Sequence, residues 1–258
     1  MESLKINHND TVKKSFKKQA EKFSAYHMSK TEYTDYLMKR IGAKKTEHDL
    51  EVAAGTCICG RALASFVKDI TCLDLTEEML AQGKKLAAES QIKNIYFQTG
   101  NAEELPYDSE SFDLVVTRLS FHHFVNPEKP FGEMKRVLKK GGKLVIWDME
   151  AVEEDLRKMD DRIEKMRDPS HIRILSREEF EEMFKKDFIL QCKETILVPV
   201  NLKSWMELTG TPENVQKEIT NLMKAELAGG SKTGFSPYNK ESQIMFDHRW
   251  LLLNGVKN

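Results

Sequence analysis

Between Asp49 and Met149, short β-rich runs alternate with helical stretches, and no other feature of the chain limits its fold so tightly. The strand candidates are Leu50–Ala53, Ile70–Asp74, Ile95–Gln98, Phe112–Thr117 and Lys143–Asp148. Glu77 to Ser90 reads as a helix, with Thr76 as N-cap and Glu77 and Glu78 at its positive end. Pro127 to Lys139 reads as another. Asn126 caps it, Pro127 opens its first turn, and Gly141-Gly142 ends it. Strands that alternate with helices build βαβ units, so the expectation is an α/β fold around a parallel sheet.

The flanks follow other rules. Residues 11–47 are lysine-rich and amphipathic, with Phe16, Ala20 and Phe23, then Tyr33, Leu37 and Ile41, at helical spacing. They predict two helices joined near Tyr26 to Ser29, the second stopped by Gly42. Toward the C-terminus, Ser176-Arg177-Glu178-Glu179 is a capping box that opens a helix to about Lys186. Phe188–Val200 and Gln243–Val256 read as strands. Between them Thr211-Pro212-Glu213 starts a helix that ends near Gly229-Gly230. This insertion, about 201–235, suits either a lid or packing on the sheet edge.

Length and composition narrow the function. The chain has 258 residues, enough for one or two domains. Forty basic residues against forty-one acidic ones give a formal charge of -1, so general electrostatic binding to nucleic acid is not expected. No apolar run is long enough for a membrane span, and the start, Met1 to Asn7, has no apolar stretch of a signal peptide. Four cysteines do not make a disulfide scaffold. The expectation is a cytoplasmic monomer or homodimer with reduced thiols and no membrane partner.

Chemistry concentrates at strand ends. Leu50-Glu51-Val52-Ala53-Ala54-Gly55-Thr56-Cys57 is a buried strand running into an acidic residue, small residues and a turn. In a doubly wound fold the carboxyl end of that strand borders the ligand crevice, and small residues let backbone N–H groups approach a ligand. Asp74 lies 23 positions after Glu51 (74 minus 51), at the end of the second strand, where a carboxylate accepts both hydroxyls of a ribose. Gly100-Asn101-Ala102-Glu103-Glu104-Leu105-Pro106 follows the third strand and would lie over the adenine end of a nucleoside. Cys57-x-Cys59 has no second cysteine pair at metal-ligand spacing, so no metal is expected.

Taken in order, these segments resemble class I S-adenosylmethionine-dependent methyltransferases, in the branch related to the ubiquinone/menaquinone-biosynthesis enzymes. The likeness rests on Leu50–Thr56, Asp74-Leu75-Thr76-Glu77-Glu78-Met79-Leu80, Gly100–Pro106, Ser111–Val116 and Arg136-Val137-Leu138-Lys139-Lys140-Gly141-Gly142. It covers roughly residues 45 to 150. Beyond it, Phe16–Phe23 is similar to the helix that covers the cofactor in this branch. Arg167–His171, Ser204-Trp205 and Thr209–Pro212 are similar to a bacterial subgroup acting on small molecules.

The resemblance implies a Rossmann-like, doubly wound, seven-stranded sheet, mostly parallel with an antiparallel last strand. N-terminal helices and a helical lid would accompany it. It also implies one methyltransferase domain over 1–258: a cover (1–47), a cofactor core (48–150) and a C-terminal part (151–258). S-adenosylmethionine would be the cofactor and S-adenosylhomocysteine the product. Glu51, Ala53, Ala54 and Gly55 would sit at its methionine end, Asp74 at the ribose, and Leu75 and Met79 beside the adenine. Asn101, Ala102 and Glu103 would border the adenine edge, and Arg118 and Leu119 would close the site. The family more often has Asp at position 101, and usually glycine where this chain has Cys57. If position 57 needs φ > 0, cysteine costs roughly 1–2 kcal/mol there.

Methyl transfer is an in-line displacement that depends mainly on positioning. A hydroxyl, a protonated amine or a carbon acid also needs a base, and the candidates are His122, His123, His171 and Asp148. The acceptor is expected to be a small organic molecule, methylated on carbon, oxygen or nitrogen. Trp205 and Phe235 would favour a partly apolar or aromatic one. Three rivals stand beside this reading: a nicotinamide-dependent dehydrogenase, a non-catalytic protein that binds S-adenosylmethionine, and a methyltransferase of RNA or protein. The run Ala53–Gly60 fits the dinucleotide fingerprint poorly.

Overall fold

A computed structural model describes residues 2–23 and 31–258. The expected joint near Tyr26 to Ser29 lies outside the described residues. Two helices open the chain, α1 (Glu2–Phe23) and α2 (Thr31–Ile41). The alternating core is β1 (His48–Val52), α3 (Ile58–Leu63), β2 (Asp69–Asp74), α4 (Glu77–Glu89), β3 (Ile95–Thr99), β4 (Phe112–Arg118), α5 (Glu128–Val137) and β5 (Leu138–Met149). Then come α6 (Glu154–Arg167), α7 (Arg177–Lys185), β6 (Phe188–Asn201), α8 (Leu202–Thr209), α9 (Glu213–Leu227), β7 (Tyr238–Lys240) and β8 (Gln243–Lys257).

The sheet runs β3-β2-β1-β4-β5-β8-β6, with the short β7 hairpinned onto β8. β1 to β5 are mutually parallel, and β8, the last strand, is antiparallel to both β5 and β6. Apart from β7, this is the expected doubly wound arrangement. Its central strands β4 and β5 are apolar on both faces, as a parallel sheet covered by helices requires. In β4 and β5, Leu114, Val116, Val145 and Trp147 join one buried cluster with α2, α3 and α4. Val115, Leu144 and Ile146 join the opposite cluster with α5 and α7.

Three local readings change. α5 ends at Val137 rather than Lys139, because buried Leu138 is already a strand residue paired with Phe112. Pro127, not Asn126, is its N-cap, and Asn126 contributes only a carbonyl to Lys129 (3.2 Å). Thr76 caps α4 in position, yet its side chain makes no cap bond. The capping box of α7 forms as expected: Glu179 N–H donates to Ser176 Oγ (3.2 Å), and Ser176 N–H to Glu179 Oε2 (2.7 Å).

The insertion packs α8 and α9 against α6. Trp205, Met206, Ile219, Met223, Phe235 and Phe246 close around Ile163 in a third cluster. α6 had no counterpart in the sequence reading, because its inward face carries Asp160 and Glu164 beside Ile163. Among the described residues, no helix is long and apolar enough to cross a membrane.

Candidate active site

The carboxyl ends of β1, β2 and β4 meet under α1. Past Val52 the chain turns sharply, with φ of 52° at Ala53, 54° at Gly55 and 57° at Cys57. Glu51 holds this turn from below, its two oxygens accepting the N–H groups of Cys59 (3.2 Å) and Gly60 (2.7 Å). Gly60 has to be glycine here, since a Cβ would stand 2.3 Å from Cys72 Sγ and 2.9 Å from the Glu51 carboxylate. Burial raises the pKa of Glu51, although these bonds pull the other way.

Asp74 ties the first turn to the second. One oxygen accepts Gly55 N–H (2.7 Å) and the other Thr76 N–H (2.8 Å), while burial raises its pKa. Asn101 Oδ1 accepts Glu103 N–H (3.0 Å), an Asx turn that shapes the loop after β3.

These turns surround a cavity of about 1010 Å³ that opens to solvent. All twelve residues expected around the cofactor line it: Glu51, Ala53, Ala54, Gly55, Asp74, Leu75, Met79, Asn101, Ala102, Glu103, Arg118 and Leu119. The roof comes from α1, where His8, Val12, Phe16 and Phe23 share one helical face. His8 and Asn9 precede the amphipathic pattern that the sequence shows from residue 11, and Val12 lies within it beside the named positions. The fit to S-adenosylmethionine is chemical as well as spatial. A buried carboxylate at the end of β2 suits ribose hydroxyls, and the tight turn leaves backbone free to approach a ligand.

A second cavity, about 590 Å³, adjoins the first. Phe16, Phe23, Arg118, Leu119 and His123 border both. The remaining wall includes Gln19, His122, Met149, Arg167, Asp168, Trp205, Leu208 and His248. Arg118 is buried with its guanidinium over Trp147 (5.4 Å) and Trp250 (4.9 Å). Arg167 lies over Trp205 (4.6 Å) and pairs with Glu164 (3.2 Å). Phe235 stays out of this chamber and backs Trp205 at 5.5 Å.

The histidines divide. His122 Nδ1 pairs with Asp148 (2.6 Å), whose other oxygen accepts the N–H groups of Ser120 (2.6 Å) and Phe121 (2.7 Å). Burial opposes charge on His122, but Asp148 outweighs it and the pKa rises. Asp148 therefore fixes the 3-10 turn Phe121–His123.

His123 is the opposite case. Burial and the neighbouring His122 push its pKa down to about 3. Its Nδ1 faces the Ser170 carbonyl (3.0 Å) and Ser170 Oγ (3.1 Å). A carbonyl oxygen only accepts, so the ring is neutral with its proton on Nδ1 and a lone pair on Nε2. Ser170 Oγ in turn donates to Asp168 (2.6 Å), which also accepts from Ser15 Oγ (2.7 Å) and Gln19 Nε2 (3.1 Å) of α1. Despite burial, His123, Arg167 and these donors hold Asp168 well below the usual carboxylate range. His171 lines neither cavity: it is buried, bonded to Asp161 (2.8 Å), and stands 5.7 Å from the His122 ring.

The methyltransferase domain family matches residues 50–146. The chain is 30% identical to the methyltransferase YcgJ of Bacillus subtilis over 225 residues, 86% of this chain and 89% of that one. The crystal structure of YcgJ superposes with a TM-score of 0.80 at 28% identity, covering 90% of this chain and 99% of that one. This chain belongs to the class I S-adenosylmethionine-dependent methyltransferases, in the branch of the ubiquinone/menaquinone-biosynthesis enzymes. Within that branch it is 34% identical over 111 residues to the demethylmenaquinone methyltransferase of Halalkalibacterium halodurans, 42% of this chain and 45% of that enzyme. At the level of fold alone it matches geranyl diphosphate C-methyltransferase from Streptomyces coelicolor, solved with S-adenosyl-L-homocysteine. There the TM-score is 0.60 at 15% identity, over 88% of this chain and 76% of that one. The methyltransferase uses S-adenosylmethionine as its cofactor.

Proposed function

We propose that the second cavity holds a small organic acceptor and that the methyl group reaches it across the wall shared with the cofactor cavity. The observation that carries this is the shared wall itself, Phe16, Phe23, Arg118, Leu119 and His123. S-adenosylmethionine supplies an activated methyl group on a sulfonium. The twelve residues around the larger cavity bind it, with Asp74 at the ribose hydroxyls. The chain then aligns, dehydrates and handles a proton. Phe16, Phe23 and Leu119 exclude water at the junction. His123 presents the Nε2 lone pair there and takes a proton from the acceptor, while Ser170 and Asp168 hold the ring and offset only part of the burial and the His122 contact that keep it neutral at rest. Carbon, oxygen and nitrogen acceptors with a removable proton suit this arrangement. Trp205 and Leu208 favour one with an apolar part. Residues 1–258 act as one unit, with α1 as cover and α8 and α9 closing the acceptor side.

Thermal unfolding with S-adenosylmethionine, S-adenosylhomocysteine and NADH in parallel tests the cofactor half. At about 100 times its dissociation constant a ligand stabilises by roughly 2.7 kcal/mol, a shift of about 5–10 °C for a chain of this size. Both adenosyl compounds should give it and NADH should not; no shift with either removes the assignment. Screening small carbon acids, phenols and amines against RNA and protein tests the acceptor half. With any small acceptor found, His123→Asn should lower kcat by about 10²–10⁴ and leave S-adenosylhomocysteine affinity within a few fold. An unchanged kcat would take the proton-acceptor role from His123.

A further inference from the structure

We propose that Glu51, Cys57 and Cys72 form a binding site for a thiophilic divalent cation such as zinc or cadmium, and that this ion and S-adenosylmethionine exclude one another. A carboxylate oxygen of Glu51 and the Sγ atoms of Cys57 and Cys72 lie within 4.8 Å of one another, and all three residues are buried. Cys72 Sγ is 3.4 Å from Glu51 Oε2, and the Cys59 thiol also hydrogen-bonds Glu51. Sequence spacing showed only Cys57-x-Cys59. The fold adds Cys72 by setting β2 beside β1, with Glu51 and Cys72 in register.

Cys57 supplies the independent argument. It is held at φ 57°, ψ 45°, a left-handed conformation that glycine adopts freely, at a cost to cysteine of about 1–2 kcal/mol. Residues kept in such conformations cluster at functional sites. Yet Cys57 lines neither cavity, so methyl transfer gives its thiol no task. The thiol meets Cys72, Glu51 and the carbonyl of Gly55 (3.8 Å).

Two thiolates and a carboxylate select a soft or borderline cation over magnesium or calcium. Zinc at about 2.0–2.3 Å from its ligands sets tetrahedral donors roughly 3.3–3.8 Å apart, so the three donors close with small side-chain shifts. Binding breaks two S–H bonds, sends both protons to the buffer, and forms two S–metal bonds and one O–metal bond; nothing is oxidised or reduced. Glu51 also lines the cofactor cavity. An ion on its carboxylate competes with the Cys59 and Gly60 N–H groups that set the turn. The cofactor needs that turn, so each ligand weakens the other by the same factor. This exclusion rests on the cofactor reading, whereas the ion site does not.

The reduced full-length chain is titrated with Cd²⁺ alone and followed by thiolate-to-cadmium charge-transfer absorption. Saturation at one ion per chain is expected, with at least a tenfold loss of S-adenosylhomocysteine affinity by calorimetry. Cys72→Ala should lose the band and keep its S-adenosylhomocysteine affinity with or without Cd²⁺; Cys72→Ser replaces it if the alanine variant does not fold. No band, a band that persists in the Cys72 variant, loss of cooperative unfolding with Cd²⁺, or an unchanged S-adenosylhomocysteine affinity overturns the proposal. A chain that binds Cd²⁺ but never S-adenosylhomocysteine overturns the cofactor reading instead, and the ion site stands.

Discussion

Asp74→Ala should weaken S-adenosylhomocysteine binding by 100-fold or more, measured by calorimetry on the apo-protein. Two losses add. A hydrogen bond to a charged group is worth about 1.5–3 kcal/mol, and the proposed ribose contact uses such bonds. The same carboxylate holds Gly55 and Thr76 N–H at 2.7 and 2.8 Å, so its removal also frees both turns that line the cavity. Asp74→Asn separates the two. Its single oxygen keeps one of the two backbone bonds, so the affinity should fall between wild type and alanine. An alanine variant within threefold of wild type would mean that the ribose lies elsewhere.

What could be read from the sequence was local. Each strand of the core carries its own apolar run, and each cofactor-side residue lies at the end of a strand or within a few positions after it. The fold then delivers twelve such residues to one cavity because parallel strands present their carboxyl ends on one edge. What escaped was long-range or polar. The Asp168–Ser15 bond joins positions 153 apart, and His122 meets Asp148 across 26 positions. No spacing rule reports such pairs. They raise the pKa of His122 and leave His123 a neutral ring, a division that two adjacent identical residues cannot show. α6 was invisible for a related reason: Glu164 is buried against His248 and Arg167, and its pKa falls to about 2. Its charge is matched by contacts, not by an apolar stripe.

Asp49→Val should stabilise the protein at pH 8 by several kcal/mol, with the gain shrinking as the pH falls toward 5. Asp49 lies in β1, fully buried between Ile70 and Leu114, and among the described residues neither carboxylate oxygen has a hydrogen-bond partner. Burial first, then Glu47, Asp113 and Asp69, push its pKa up to about 8; Lys143 opposes them. An unfolded aspartate titrates near 3.9. Between those values the folded chain keeps a proton that the unfolded chain has released. Stability from this group is therefore fully present below about pH 4 and is lost as the pH rises through 8. Roughly four pKa units at 1.36 kcal/mol each set an upper bound on the order of 5 kcal/mol. Valine suits a β-strand and removes the charge without leaving an unpaired polar group. Denaturant unfolding of both proteins from pH 5 to 9 measures the difference. The curves should diverge from pH 5 to about 8 and run parallel above it, and parallel curves throughout would mean that Asp49 stays ionised in the folded chain. Asp49 lies at the amino end of β1, away from the cavity edge, so S-adenosylhomocysteine affinity should not change with the substitution.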